Sequence, residues 1–164
     1  MNSLPMLTRY KAWADEQILH AAAQLPDSVL TADQPIIFGS ILRTLHHVYA
    51  MDVVWQSHLQ GRPHGYDTRN PADCPPLTEL HERQTEIDTW FSDYATSLSD
   101  AAGTEEVRFD FIGGGQGVMT RTAILLHVVN HATYHRGHVA AMFYAASISP
   151  PTTDLPVFLH RNSA

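Results

Sequence analysis

The chain predicts an all-α protein: a four-helix bundle with long crossover connections and a small β-hairpin before the last helix. Three observations predict it. Four segments of about 20–27 residues carry apolar side chains at three- and four-residue spacings, the period of a helix with one buried face. Helices of such matched length, about 30–40 Å at the standard rise, favour a bundle. The stretch before the last of them alternates apolar and polar residues, the period of a strand.

The first helical segment runs from about Leu4 to Leu25, with Leu7, Tyr10, Lys11, Ala14, Ile18, Ala21, Ala22 and Leu25 on its stripe, and Pro26-Asp27 ends it. The second runs from about Ser40 to Gln60. Ser40 is a residue type that caps helix N-termini, and Gly61-Arg62-Pro63 is a stop signal. Ile41, Leu45, Val48, Trp55 and Leu59 form its apolar stripe. The following stretch, Gly61–Pro76, is rich in proline and glycine and carries no helical period; a loop of that size is often functional. Pro75-Pro76 opens the third segment, about Leu77 to Leu98, with Leu80, Ile87, Trp90, Phe91, Tyr94 and Leu98. Val107, Phe109 and Phe111 then alternate with Arg108 and Asp110. Gly113-Gly114-Gly115-Gln116-Gly117 and Val118-Met119 follow, which reads as a hairpin. These glycines fit no dinucleotide or Walker spacing, so they serve the turn. The fourth segment runs from about Thr120 to Ser147 and stops before Pro150-Pro151.

A chain of 164 residues is expected to form one domain, residues 1–164. Ten basic side chains against 17 acidic ones, net charge −7, exclude a nucleic-acid footprint. There is no apolar run long enough to span a membrane, and the N-terminus lacks the basic-then-apolar pattern of a signal peptide. A single cysteine, Cys74, excludes an internal disulfide and points to a reducing, cytoplasmic location.

Eleven histidines outnumber lysine and arginine together, and their placement carries the functional argument. At 100° per residue, His127, His131, His135 and His138 share an arc of about 80° on the last helix, with Ile124 and Met142 inside it. That arc is expected to face the bundle interior. A buried imidazole needs a partner, since an unpaired polar group costs about 1–3 kcal/mol. Hydrogen-bond partners for four of them would require many other buried polar groups, and the neighbouring helices do not look rich in these. A divalent cation satisfies several imidazoles at once. The stripe spans about 16 Å of helix axis, so one ion cannot bind all four. The pair His131 and His135 sits one turn apart and can reach a shared ion. The zinc-peptidase pattern fails, because position 132 is Ala where the general base belongs.

A third ligand must come from another helix. The second helix carries His46 and His47, which flank its apolar stripe on opposite sides, and helical geometry does not choose between them. Cys74 lies between Asp73 and two prolines with no histidine implied nearby. Asp52 lies about 140° from His47 and so reaches across helices or fills a polar gap. Arg136 reads as a solvated or inter-helix pairing residue, Trp13 and Trp55 as core or pocket wall, and Asp15-Glu16 as a solvated face.

Four motifs in order resemble the DinB family. Leu7-x-x-Tyr10-x-x-Trp13 is similar to its opening motif. Thr44-Leu45-His46-His47 with Asp52 and Trp55 is similar to its second-helix pattern. His127-Val128-Val129-Asn130-His131 followed by His135-Arg136-Gly137-His138 is similar to its last-helix pattern, with His138 in place of the usual Gln. Thr153-Asp154-Leu155-Pro156-Val157-Phe158-Leu159 is similar to its closing motif. The resemblance implies a four-helix bundle with a long crossover, often a homodimer. It implies a divalent metal, nickel or zinc, on three histidines, which here are His47, His131 and His135. It implies an enzyme that uses a low-molecular-weight thiol or acts as a hydrolase on a small-molecule substrate.

Three neutral imidazoles and a few waters make a Lewis-acid centre that lowers the pKa of bound water or holds a thiol as thiolate. Without carboxylates beside the ligands, thiol activation is favoured slightly over hydrolysis. The competing expectation is a non-catalytic metal or small-ligand binding module. Metal is expected to leave as pH falls through the imidazole range.

Overall fold

The computed structural model describes residues 3–161. In chain order these form α1 (Leu4–Ala22), α2 (Asp27–Leu30), α3 (Ile41–Gln60), α4 (Leu77–Ser97), α5 (Asp100–Gly103), β1 (Glu106–Asp110), β2 (Gln116–Thr120), α6 (Arg121–Ala145) and α7 (Leu155–Arg161). The four long helices are the four expected segments, and the hairpin stands where the alternation placed it. The one-turn helices α2 and α5 and the short α7 carry too few residues for a period to be read, and only the structure reveals them.

The caps explain several boundaries. Ser40 Oγ accepts from the Arg43 N–H at 3.2 Å and starts α3. Gly61 ends α3 in the left-handed region, φ +66°, where a side chain is disfavoured. Thr120 closes β2, and its Oγ1 accepts from the Ala123 N–H at 3.1 Å, so the last strand residue is also the N-cap of α6. The hairpin is antiparallel and sets Phe109 opposite Gly117. A Cβ at Gly117 would lie 2.5 Å from the Phe109 ring, so the ring occupies the space that glycine leaves.

The long helices contact one another around a square, α1 to α4, α4 to α3, α3 to α6 and α6 to α1. Helices α1 and α3 therefore stand at opposite corners, as do α4 and α6, which is why long segments connect them. One apolar cluster gathers Leu4, Leu59, Ile87, Phe91, Ile124, Leu125 and Val128 at one end of the bundle. Another gathers Ile18, Ala22, Ile41, Val139, Met142 and Phe143 at the other. On each of α1, α3 and α6 the sequence passes from one cluster to the other. Helices α1 and α6 consequently run parallel to each other and antiparallel to α3.

Between these apolar ends lies a charged layer that the sequence reading missed. Lys11 is 1% exposed. Its ammonium donates to Asp15 Oδ2 at 2.9 Å, to Asp52 Oδ2 at 2.7 Å and to Asp88 Oδ1. Gln84 donates to Asp52 and Asp88. Arg136 donates to Asp15 Oδ1 and to the Tyr10 hydroxyl. Asp15 is thus a buried ion-pair partner, not part of a solvated face. Glu16 is exposed and accepts from His81. Arg136 pairs between helices, one of its two expected roles. Burial alone would lower the Lys11 pKa, but the three facing carboxylates overcome it and hold the ammonium well above its ordinary value. Burial drives Asp52 upward and Asp88 up to about 7, against the pull of Lys11.

Among the described residues no helix is long and apolar enough to cross a membrane.

Candidate metal centre

The buried face of α6 is Ile124, Leu125, Val128, Val129, Ala132, His135, Arg136, Val139, Met142 and Phe143. It is centred roughly 90° around the helix from the middle of the histidine arc. The histidines therefore border the core and do not face its centre, which corrects the sequence expectation. Branched and aromatic side chains take the space between helices, and the imidazoles line the wall of a cleft. Of the four, His135 lies in the overlap and is buried, while His127, His131 and His138 are half-buried.

The structure brings His47, His131 and His135 together. Each offers one nitrogen, and these nitrogens lie within 4.8 Å of one another. Packing of α3 against α6 turns His47 toward this group. His46 is buried elsewhere, and its pKa is lowered by burial and by the neighbouring charge of Arg43. His127 and His138 extend the group at either end without joining it. The His127 ring is 5.8 Å from that of His131 and packs on Trp55 at 4.7 Å. His138 Nδ1 lies 3.3 Å from His135 Nδ1.

Hydrogen bonds orient the first ring. His47 Nδ1 donates to the Arg69 carbonyl at 2.6 Å, which leaves Nε2 as the lone-pair nitrogen. Arg69 belongs to the Gly61–Pro76 loop, so that loop holds a candidate ligand in place. His47 Nε2 lies 3.1 Å from His131 Nε2. Phe38 stacks on the outer face of His47 with centroids 3.9 Å apart.

The donor set fits a cation. Two metal–nitrogen bonds of about 2.0–2.1 Å at angles between octahedral and tetrahedral separate their nitrogens by about 2.9–3.4 Å, which spans the observed 3.1 Å. Without a cation, only a single N–H···N bond can join His47 to His131 through these nitrogens. Burial, followed by the neighbouring imidazoles, lowers the His131 pKa to about 2 and that of His135 to about 4. Burial lowers His47 as well, against the bond to the Arg69 carbonyl. All three rings are therefore neutral at pH 7, the form that ligates. A second acidic group, Asp15, Asp52 and Asp88, also has its oxygens close together, but the Lys11 ammonium already stands among them as the cation.

The three histidines open onto a cleft of about 910 Å³. Phe38, Met51, Trp55, Phe109 and Phe111 give it apolar walls, and Arg69, Asp110 and Tyr134 add polar ones. Trp55 is thus a pocket wall, whereas Trp13 packs on Tyr10 and Phe158 away from the cleft. Cys74 is not part of this lining. Its sulfur lies near the Leu42 and Pro75 carbonyls, and burial raises its pKa, the reverse of an activated thiol.

Comparison with known proteins gives one consistent result. The sequence profile of the DinB family matches residues 1–163. Protein DinB of Bacillus subtilis (strain 168) is 29% identical, over 93% of this chain and 91% of that protein. The crystal structure of a DinB-like protein from Bacillus cereus ATCC 10987 superposes with a TM-score of 0.66 at 20% identity, over 88% of this chain and 91% of that one, and so shares its fold. With the profile running through all four long helices and the hairpin between them, the chain belongs to the DinB family.

Proposed function

We propose that His47, His131 and His135 bind one divalent cation, nickel or zinc, and that the protein is a metal-dependent enzyme acting on a small molecule in the adjoining cleft. The observation that carries this reading is the convergence of three neutral imidazole nitrogens from two helices in the lining of that cleft. A divalent cation there supplies Lewis acidity, which makes a thiol or water beside it nucleophilic near neutral pH.

The chain's own residues do the rest. The Arg69 carbonyl fixes the His47 tautomer. Phe38 stacks on His47, and Trp55 gives the cleft an apolar wall. Among the described residues no carboxylate belongs to the three-histidine group. This favours activation of a low-molecular-weight thiol over hydrolysis, because a thiol loses its proton without a dedicated base near neutral pH.

The test is elemental analysis of protein purified without a histidine tag, followed by thiol-transfer and ester-hydrolysis assays. About one metal per chain is expected, with His47→Ala losing both metal and turnover. Equal turnover by metal-loaded wild type and His47→Ala would remove this site from the chemistry.

A further inference from the structure

A second basin of about 500 Å³ adjoins the cleft beside the Trp55 and Phe109 rings, and His58, Phe109 and Asp110 line both spaces. The basin gathers Arg62, Arg108, His58 and His64 around that single carboxylate. Only 10 of the 164 residues are lysine or arginine, and the net charge is −7, so two arginines in one basin run against the balance of the molecule. Among the described residues neither guanidinium is ion-paired. Arg62 is held by the neutral side chains of Gln56, at 3.1 Å, and Gln60. Asp110 accepts from Gln116 at 3.3 Å. Gly61 and Gly65, both at positive φ, turn the chain so that Arg62 and His64 line the basin together with His58 of α3.

A track of rings joins the basin to the candidate ligands. His131 touches His127, His127 touches Trp55, Trp55 touches His58, and His58 touches His64, with centroid separations of 5.8, 4.7, 5.5 and 5.4 Å. Phe109 packs on both Trp55 and His58, at 5.0 and 5.2 Å. His58 lies eleven residues beyond His47 on α3, about 16 Å along the axis.

From this we infer that the cleft takes an elongated anionic substrate. Its reactive end lies at the three histidines, its apolar middle along Trp55 and Phe109, and a carboxylate tail in the Arg62 and Arg108 basin. The inference rests on the reading of the three-histidine site as the reactive end. With Asp110 offsetting one of the two guanidinium charges, the basin matches a singly charged carboxylate tail. Arg62 and Arg108 are specificity-determining residues, since they meet the tail and stand far from the reacting end.

Isothermal titration of the zinc-loaded full chain tests this with four probes of two lengths: 11-mercaptoundecanoate, 11-aminoundecanethiol, 3-mercaptopropionate and cysteamine. The overall negative charge attracts the ammonium-terminated probes, so preference for a carboxylate has to arise locally. The long carboxylate is expected to bind roughly tenfold tighter than the long amine, a preference that shrinks as salt rises. The short pair, unable to reach the basin, is expected to show no such preference. The exposed double variant R62Q/R108Q should abolish the long pair's difference, and Asp110→Asn should widen it. Equal affinity of the long probes, the same preference in the short pair, or a preference that survives R62Q/R108Q would overturn the inference. Tighter binding of an 11-carbon thiol ending in phosphonate would overturn the carboxylate assignment. His47→Ala separates the two readings: if it leaves thiol affinity unchanged while the tail preference persists, the metal reading fails and the anionic subsite stands.

Discussion

Lys11 shows how much one side chain carries in this bundle. Its ammonium is buried among three carboxylates from three helices. Removing one partner of a buried ion group leaves uncompensated charge and typically costs 3–5 kcal/mol. Lys11→Met is accordingly expected to lower stability by about that much in urea denaturation, and adding Asp52→Asn with Asp88→Asn should recover a large part. A loss below about 1 kcal/mol would mean that the ammonium is not holding the layer together. His131 and His135 illustrate a different residue-scale effect. Protons compete for these rings only well below the ordinary imidazole range, because burial lowers them to about 2 and about 4. Bound zinc is therefore expected to persist at pH 5.5 and to leave at lower pH, later than the sequence alone suggests. Dialysis with metal analysis checks this, and a release midpoint near pH 6.5 would contradict it.

At the scale of elements, the Gly61–Pro76 loop acts on the site through its backbone. The bond to His47 comes from the Arg69 carbonyl, so the side chain at 69 is irrelevant to it. Arg69→Ala is expected to leave zinc affinity within about twofold. Replacing residues 66–71 with a glycine-serine linker should weaken zinc about 10- to 100-fold, the usual effect of losing a hydrogen bond that orients a ligand. A chelator competition titration reads both, and equal loss in the two variants would show that the guanidinium matters instead. The elements themselves were largely legible. Ser40, Gly61 and Thr120 mark helix ends because they satisfy or relax backbone groups locally, and such signals need no tertiary context. The alternation of Val107 and Phe109 marked β1 for the same reason. The choice of His47 over His46 was not legible from helical geometry, since both flank the apolar stripe of α3. The family resemblance pointed to His47, and the packing of α3 on α6 is what turns that ring toward His131.

The whole molecule has an apolar cluster at each end and charge between, and its stability should follow pH accordingly. The folded chain resists protonating His131 and His135, whereas the unfolded chain protonates them near 6.5. The unfolded state thus binds more protons across about pH 4–6.5, and stability falls as pH drops through that window. Asp88 acts in the opposite sense. Its folded carboxyl keeps a proton up to about 7, so its contribution is present at low pH and is lost as pH rises toward 7. Asp52 is raised in the same sense. Burial lowers His46, His47, His58 and His127 as well, so the histidines outnumber the two carboxyls. Metal-free protein is therefore expected to be less stable at pH 5 than at pH 7. The double variant H131Q/H135Q should reduce the slope at pH 5 by about 2 kcal/mol per pH unit. Denaturation midpoints measured in chelator decide this, and an unchanged slope would sink it.

Sequence by itself determined what depends on near neighbours along the chain. Helix periods, caps, the hairpin and the one-turn spacing of His131 and His135 all follow from contacts within a few residues. Tertiary structure decided what depends on which faces meet. Asp15 reads as part of a solvated face, Arg136 as solvated or inter-helix, Lys11 as a member of its helix's stripe and Asp52 as reaching across helices or filling a polar gap. With Asp88 they become one buried layer only because four helices turn them to the same level. The same packing set the histidine arc at the edge of the core and joined Arg62 and Arg108 in one basin, placements that no local pattern encodes.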